Sequence, residues 1–155
     1  MSNFLDVVEL NDCIGNPKGN ITNLDWTVLE SQLALIKEEF EELMDAVRQR
    51  DITEVRDATA DILVTTYGMA HRAGFDADAD MAEVHRSNMS KFCHADHEAC
   101  DTAVAYERLG INVMFRYLAD KRIAVISAKA QTVNNKFYPK GKLLKSINFK
   151  EPVLL

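Results

Sequence analysis

The sequence predicts a mainly α protein, an antiparallel bundle of four to five helices with a small C-terminal antiparallel β appendage. Three observations predict it. Apolar residues recur at steps of three and four through residues 29–69. Turn-formers separate the helical stretches by only a few residues, which makes successive helices antiparallel neighbours. After Gly110 the texture changes to β-branched and aromatic runs. The division drawn from sequence is a bundle over 1–109 and an appendage over 110–155.

Residues 4–12 fit a short helix, broken by the turn-rich Gly15-Asn16-Pro17-Lys18-Gly19-Asn20. The next helix starts near Asp25 or Thr27, with Leu29, Leu33, Ile36, Phe40, Leu43 and Val47 as its apolar stripe. Trp26 and Phe40 could stack a base, but aromatics at helical spacing are core more often than not, so both are expected in the core. Thr53 is placed to cap a helix over 54–72, whose apolar sector is Val55, Ala58, Ile62 and Met69. Gly74 ends it. A fourth helix opens at Phe75-Asp76 and runs through Met81, Val84 and Asn88 to Phe92, and a fifth covers 94–109. Beyond Gly110, runs at 111–117 and 122–127 read as a hairpin around Leu118-Ala119-Asp120-Lys121. Phe137-Tyr138 and Leu143-Leu144 flank a further turn at Pro139-Lys140-Gly141-Lys142.

At 155 residues the chain is long enough for one domain with a real core. No apolar run could span a bilayer, and residues 1–6 lack the basic start and apolar stretch of a secretory leader. Three cysteines, an odd number without framework spacing, argue for reduced thiols and a cytoplasmic setting. The net charge of −6 is unevenly spread: from Val125 onward six lysines face one acid, so that stretch is +5 and residues 1–124 carry −11. Such an acidic body repels a phosphate backbone, so neither nucleic acid nor membrane is expected as a partner. The same body suits a small phosphate-bearing ligand reached through a metal.

Two acidic clusters dominate the helical part. Glu38-Glu39-Phe40-Glu41-Glu42 lies on one predicted helix, and Glu54, Asp57 and Asp61 lie on the next. Each cluster repeats at three, four or seven residues, which stacks carboxylates along one side of its helix. Glutamates on helices are most often plain solvated surface. Asp57 and Asp61 change that balance, because Asp is a poor mid-helix residue and these border an apolar face. Two carboxylate rows on adjacent helices call for a hard divalent cation with oxygen ligands, Mg²⁺ or Mn²⁺.

These residues resemble the all-α nucleoside triphosphate pyrophosphohydrolases, the MazG-like superfamily that includes phosphoribosyl-ATP pyrophosphohydrolases and dimeric dUTPases. Its E-x-x-D element follows an E-E-x-x-E element, present here as Glu38-Glu39-Phe40-Glu41-Glu42. Asp61-Ile62-Leu63-Val64 running into Ala70-His71-Arg72-Ala73-Gly74 places the family aspartate at Asp61, and Asn88-Met89-Ser90-Lys91-Phe92 supplies the third element. The likeness covers residues 24–92. One departure stands out: in that register Ala58 replaces the expected glutamate, and Asp57 can serve from the i−4 position. The other register reads Glu54-x-x-Asp57 and leaves Asp61 as an extra ligand.

The resemblance implies Mg²⁺-dependent cleavage of a nucleoside triphosphate between the α and β phosphates, giving a monophosphate and pyrophosphate. Glu38, Glu39, Glu42, Asp57 and Asp61 form the expected metal set. Glu39, Glu42 and Asp61 hold the ion, while Glu38 or another uncoordinated carboxylate orients or deprotonates the attacking water. Lys91 would contact a phosphate, and Asn88 the metal shell or the sugar. The alternatives are a phosphoribosyl-ATP pyrophosphohydrolase-type biosynthetic enzyme and a non-catalytic acidic interaction module. A homodimer or homotetramer is expected, since an apolar stripe bordered by carboxylates needs further helices to cover it.

Other residues read more plainly. Cys93, His97 and Cys100 fall at i, i+4 and i+7, but no fourth zinc ligand is evident and a chance helical cluster outweighs a metal site. Cys13 reads as a small apolar residue, and His71 and His85 as makers of polar contacts. Lys140 and Lys142 either close over the triphosphate or simply solvate the appendage.

Overall fold

The computed structural model describes residues 2–154, in the order α1 (Asn3–Cys13), α2 (Trp26–Gln49), α3 (Ile52–Ala73), α4 (Ala77–Met89), α5 (Asp96–Arg108), β1 (Val113–Tyr117), β2 (Ile123–Ser127), β3 (Gln131–Val133) and β4 (Lys136–Tyr138). The expected mainly α architecture with a small β appendage is what forms. Among the described residues, no helix is long and apolar enough to cross a membrane.

Compactness divides the chain between Asp80 and Met81, inside α4. The division drawn from sequence falls elsewhere, between 109 and 110. That cut would run through a shared core. Cys93, Ala99 of α5, Ile111, Ile123 and Val125 of β2, and Leu144 bury one another, so α5 belongs with the strands.

In the first unit, local chemistry sets each helix end. The Asp25 carboxylate accepts from the Thr27 and Val28 N–H groups, and α2 closes at Arg50 in the left-handed region with φ 58°. The cap of α3 is Asp51, not Thr53: its carboxylate accepts from the N–H groups of Thr53 and Glu54, and the helix begins at Ile52. A carboxylate is the stronger acceptor and satisfies two of the orphan donors at once. Gly74, at φ 83°, ends α3 as expected.

α2 and α3 pack side by side. Buried Gln32 donates from Nε2 to the Thr65 carbonyl at 2.8 Å, and Gly68 makes room for it, since a Cβ there would come within 2.9 Å of that nitrogen. The predicted stripe of α2 is only half covered. Leu29 is buried and Ile36 and Leu43 are half-buried, but Leu33, Phe40 and Val47 are 58, 53 and 57% exposed. Trp26, at 67% exposed, is likewise no core residue. α1 packs on α3, burying Phe4 with Ala70 and Ala77 beside Tyr67.

The loop after α1 is pinned to the end of α3. Gly19 N–H donates to the His71 carbonyl at 2.9 Å, and the buried His71 ring meets the Asn16 carbonyl through Nε2 at 2.9 Å. Gly19 and Gly74 lie back to back: a Cβ on Gly19 would overlap the Arg72 carbonyl, and one on Gly74 would overlap Gly19.

In the second unit, α4 stops at Met89, so Phe92 lies in the turn beyond it. β1 and β2 form the expected antiparallel hairpin, with Phe115 opposite Val125. The expected pairing across 139–142 does not form. β4 pairs instead with β3, across Asn134 and Asn135 at φ 50° and 61°, and Leu143 bridges to Ile126 of β2. Two adjacent positive-φ asparagines make a turn whose twist suits a hairpin, and that signal was in the sequence. The C-terminal stretch is laced to α4 and its end: Ser87 Oγ donates to the Lys150 carbonyl at 2.9 Å and Val153 N–H to Glu83 at 2.8 Å. The Arg86 fork, then that N–H, hold the Glu83 carboxyl down at about 2.

Candidate functional site

The acids of α2 fall into two groups. Glu41 pairs with Lys37 at 3.5 Å and Asp45 with Arg48 at 2.8 Å, each on its own helix and in solvent. Glu38, Glu39 and Glu42 have no cationic partner among the described residues, and neither do Glu54, Asp57 and Asp61 of α3. Charge that a surface would ordinarily neutralise is left uncompensated along this side of the helix pair.

Packing α2 against α3 draws the two rows together. Glu39 and Asp61 are half-buried, while Glu38, Glu42, Glu54 and Asp57 are exposed. Partial burial, then the charges of Asp61, Glu42, Glu38 and Asp57, hold the Glu39 carboxyl above its ordinary range. Thus Glu39 feels all four of the other carboxylates named from sequence. Glu54 is absent from that group. Asp61 is the strongest of the charges acting on Glu39, and Asp57 the weakest.

Among the described residues no three His, Cys, Asp or Glu side chains converge as a ready-made ion cage. The donor set nevertheless fits a hard divalent ion. Mg²⁺ keeps several waters and takes one or two carboxylates plus substrate phosphates rather than an all-protein cage. An uncompensated carboxylate group around the half-buried Glu39 has the chemistry for that. Beside it, Thr53, Arg56, Asp57 and Ala60 line an open groove.

Asn88 and Lys91 lie in the second unit and are joined to each other, the Lys91 ammonium donating to Asn88 Oδ1 at 2.6 Å. Cys93 does not share a helical face with His97 and Cys100, because α5 begins only at Asp96. Its thiol is fully buried against Thr102 Oγ1, and burial pushes it up, whereas His97 and Cys100 are exposed. Cys13 is exposed rather than packed.

A family model described as phosphoribosyl-ATP pyrophosphohydrolase matches residues 7–88. The chain belongs to that family. Phosphoribosyl-ATP pyrophosphohydrolases are part of the MazG-like all-α nucleoside triphosphate pyrophosphohydrolase superfamily, and the match takes in most of α1, all of α2 and α3, and most of α4. It holds every carboxylate of the site together with Asn88, ends short of Lys91, and excludes all four strands. The chain is also 34% identical over 112 residues to the uncharacterized protein L479 of Acanthamoeba polyphaga mimivirus, a stretch that covers 69% of this chain and 41% of that protein. It thus spans about two fifths of that relative's length.

Proposed function

We propose that this chain is a Mg²⁺-dependent nucleotide pyrophosphohydrolase that cleaves a nucleoside triphosphate between its α and β phosphates. The observation that carries the reading is the uncompensated group of Glu38, Glu39, Glu42, Asp57 and Asp61, gathered by α2 and α3 inside the stretch that matches the family. Glu39, Glu42 and Asp61 hold the ion, with Asp57 beside them; Mn²⁺ is the alternative ion. When bound, the ion neutralises charge on the phosphate oxygens. Glu38, exposed and free of a cationic partner among the described residues, takes the proton of the attacking water. Lys91 binds a phosphate oxygen and Asn88 the sugar or the ion's water shell, their mutual hydrogen bond keeping both side chains in place.

The family's own description favours a second reading, in which the substrate is phosphoribosyl-ATP. Both readings share one bond cleavage and one carboxylate set. The chain works as a homodimer or homotetramer, the exposed Leu33, Phe40 and Val47 being the face a partner copy covers. An odd cysteine count without framework spacing fits a reducing, cytoplasmic setting.

The test is pyrophosphate release from a panel of canonical, deoxy and modified triphosphates plus phosphoribosyl-ATP, with and without Mg²⁺. Release that needs Mg²⁺ and drops by roughly 10²-fold or more in Glu39→Gln with Asp61→Asn supports the reading. Release that survives EDTA, or is untouched in that double variant, sinks it.

A further inference from the structure

The second unit holds a concentration of positive charge of which the hydrolase reading uses only Lys91. Lys91, Lys136, Lys142 and Lys145, with Tyr106 and Tyr138, line a hollow of about 260 Å³. We propose that this hollow is a binding site for a condensed phosphate, either free or as the polyphosphate end of a nucleotide.

The scaffold sets the lysines in place. The turn at Asn134 and Asn135 delivers Lys136 onto β4, and Gly141, at φ 82°, turns the chain so that Lys142 comes back beside the same ring. The two ammonium groups sit 5.4 and 5.6 Å from the centre of Tyr138. The Tyr106 hydroxyl accepts from the Lys145 N–H and donates to its carbonyl, both at 3.1 Å, which fixes the backbone on the facing side.

Neutralisation within this group is incomplete. Lys145 pairs with Glu151 at 2.6 Å, and Lys91, 6.0 Å from the centre of the Phe149 ring, donates to the amide oxygen of Asn88 and has no carboxylate partner among the described residues. Lys136 and Lys142 have no carboxylate partner among the described residues. Contact with an aromatic face offsets only part of the repulsion between ammonium groups. An anion of several charges in the hollow relieves the rest, and lysines act on phosphate as separate point charges that need no planar fit.

Size narrows the ligand. The hollow is smaller than the roughly 300–1,000 Å³ of pockets that enclose a drug-sized molecule. It therefore takes a phosphate chain rather than a whole nucleotide. The −11 charge of residues 1–124 disfavours a long polyanion lying across the surface. Lys91 is shared with the hydrolase reading, but binding at Lys136 and Lys142 does not rest on that reading, because ammonium groups need no divalent ion.

The experiment uses the full chain in EDTA, which removes any contribution through the carboxylates. Tripolyphosphate, pyrophosphate, orthophosphate and ATP are titrated by calorimetry. Lysine resonances are followed in parallel on ¹³C-methylated protein. Saturable tripolyphosphate binding that moves the signals of Lys136 and Lys142, and weakens at least tenfold in Lys136→Gln with Lys142→Gln, bears the site out. ATP binding as tightly as tripolyphosphate assigns the phosphate chain alone, and tighter ATP binding assigns a nucleotide. Three results overturn the proposal: lysine signals of the wild type that stay unmoved, equal affinity in a double variant whose circular dichroism is native, or a single-stranded oligonucleotide that displaces tripolyphosphate at equimolar concentration.

Discussion

At Glu39, two demands pull in opposite directions. Its carboxyl is held high by partial burial and then by Asp61, Glu42, Glu38 and Asp57, so the folded chain binds its proton more tightly than the unfolded chain does. Without a divalent ion the contribution of Glu39 to stability therefore falls as pH rises through that elevated range. Replacing it by Gln removes the repulsion. Like-charge pairs on helices cost about 0.2–0.5 kcal/mol each, and several act here, so Glu39→Gln should stabilise the ion-free protein by roughly 1 kcal/mol at neutral pH. Denaturant titrations of the two proteins should diverge as pH increases from about 4 to about 7. Mg²⁺ should then stabilise the wild type and leave Glu39→Gln unmoved; a Gln protein that gains as much from Mg²⁺ would remove Glu39 from the ion's shell. The acids themselves were legible in the sequence, because their spacing is a property of the helix. Their ranking was not. That Asp61 acts on Glu39 more strongly than Asp57, and that Glu54 stands outside the group, depends on how the two helices pack, which no single-helix pattern contains.

Among elements, the helices were readable nearly to their ends, because apolar spacing and capping chemistry are local. The slip at the start of α3 shows how local: Asp51 and Thr53 are both capping residues two positions apart, and the carboxylate takes the post. Asp51→Ala should cost about 1 kcal/mol in thermal or chemical denaturation, while Thr53→Ala costs little. An equal loss from both would show that α3 starts later than it does here. The strands were harder. Pro139 and Gly141 are strong punctuation, and they drew the expected hairpin to 139–142. The chain in fact turns at Asn134 and Asn135, and Leu143 goes to β2 instead of β4. Which strand pairs with which depends on contacts remote in sequence, so the competing turn signals could not be ranked from their own residues. The domain boundary drawn at 109 follows the change of texture after Gly110, because the burial of Ala99 on α5 against Ile123 and Val125 is invisible until the strands are placed.

For the whole molecule, the exposed side of α2 raises the question of assembly. Leu33, Phe40 and Val47 were expected under cover, and more than half of each is in solvent. Apolar side chains in a continuous row along one helix mark a surface meant for another. Phe40→Lys with Val47→Lys should convert a dimer or tetramer into monomers in sedimentation velocity, with the circular dichroism unchanged. A wild type that already sediments as a monomer would remove the basis for the assembly. Sequence carried the stripe but not its exposure, since periodicity tells which side of a helix is apolar and not which neighbour arrives to meet it.

The meeting of Gly19 with Gly74 has a consequence for how this chain can vary. A side chain on Gly74 would run into Gly19, and one on Gly19 into the Arg72 carbonyl just before Gly74, so neither position has room for a Cβ. In a saturation library scored for soluble, folded protein, these two columns should be nearly blank, while Gly15, with open space around it, should accept at least asparagine. Lineages of this protein would then keep a frozen pair at the foot of α3 however freely the loop between 20 and 25 drifts.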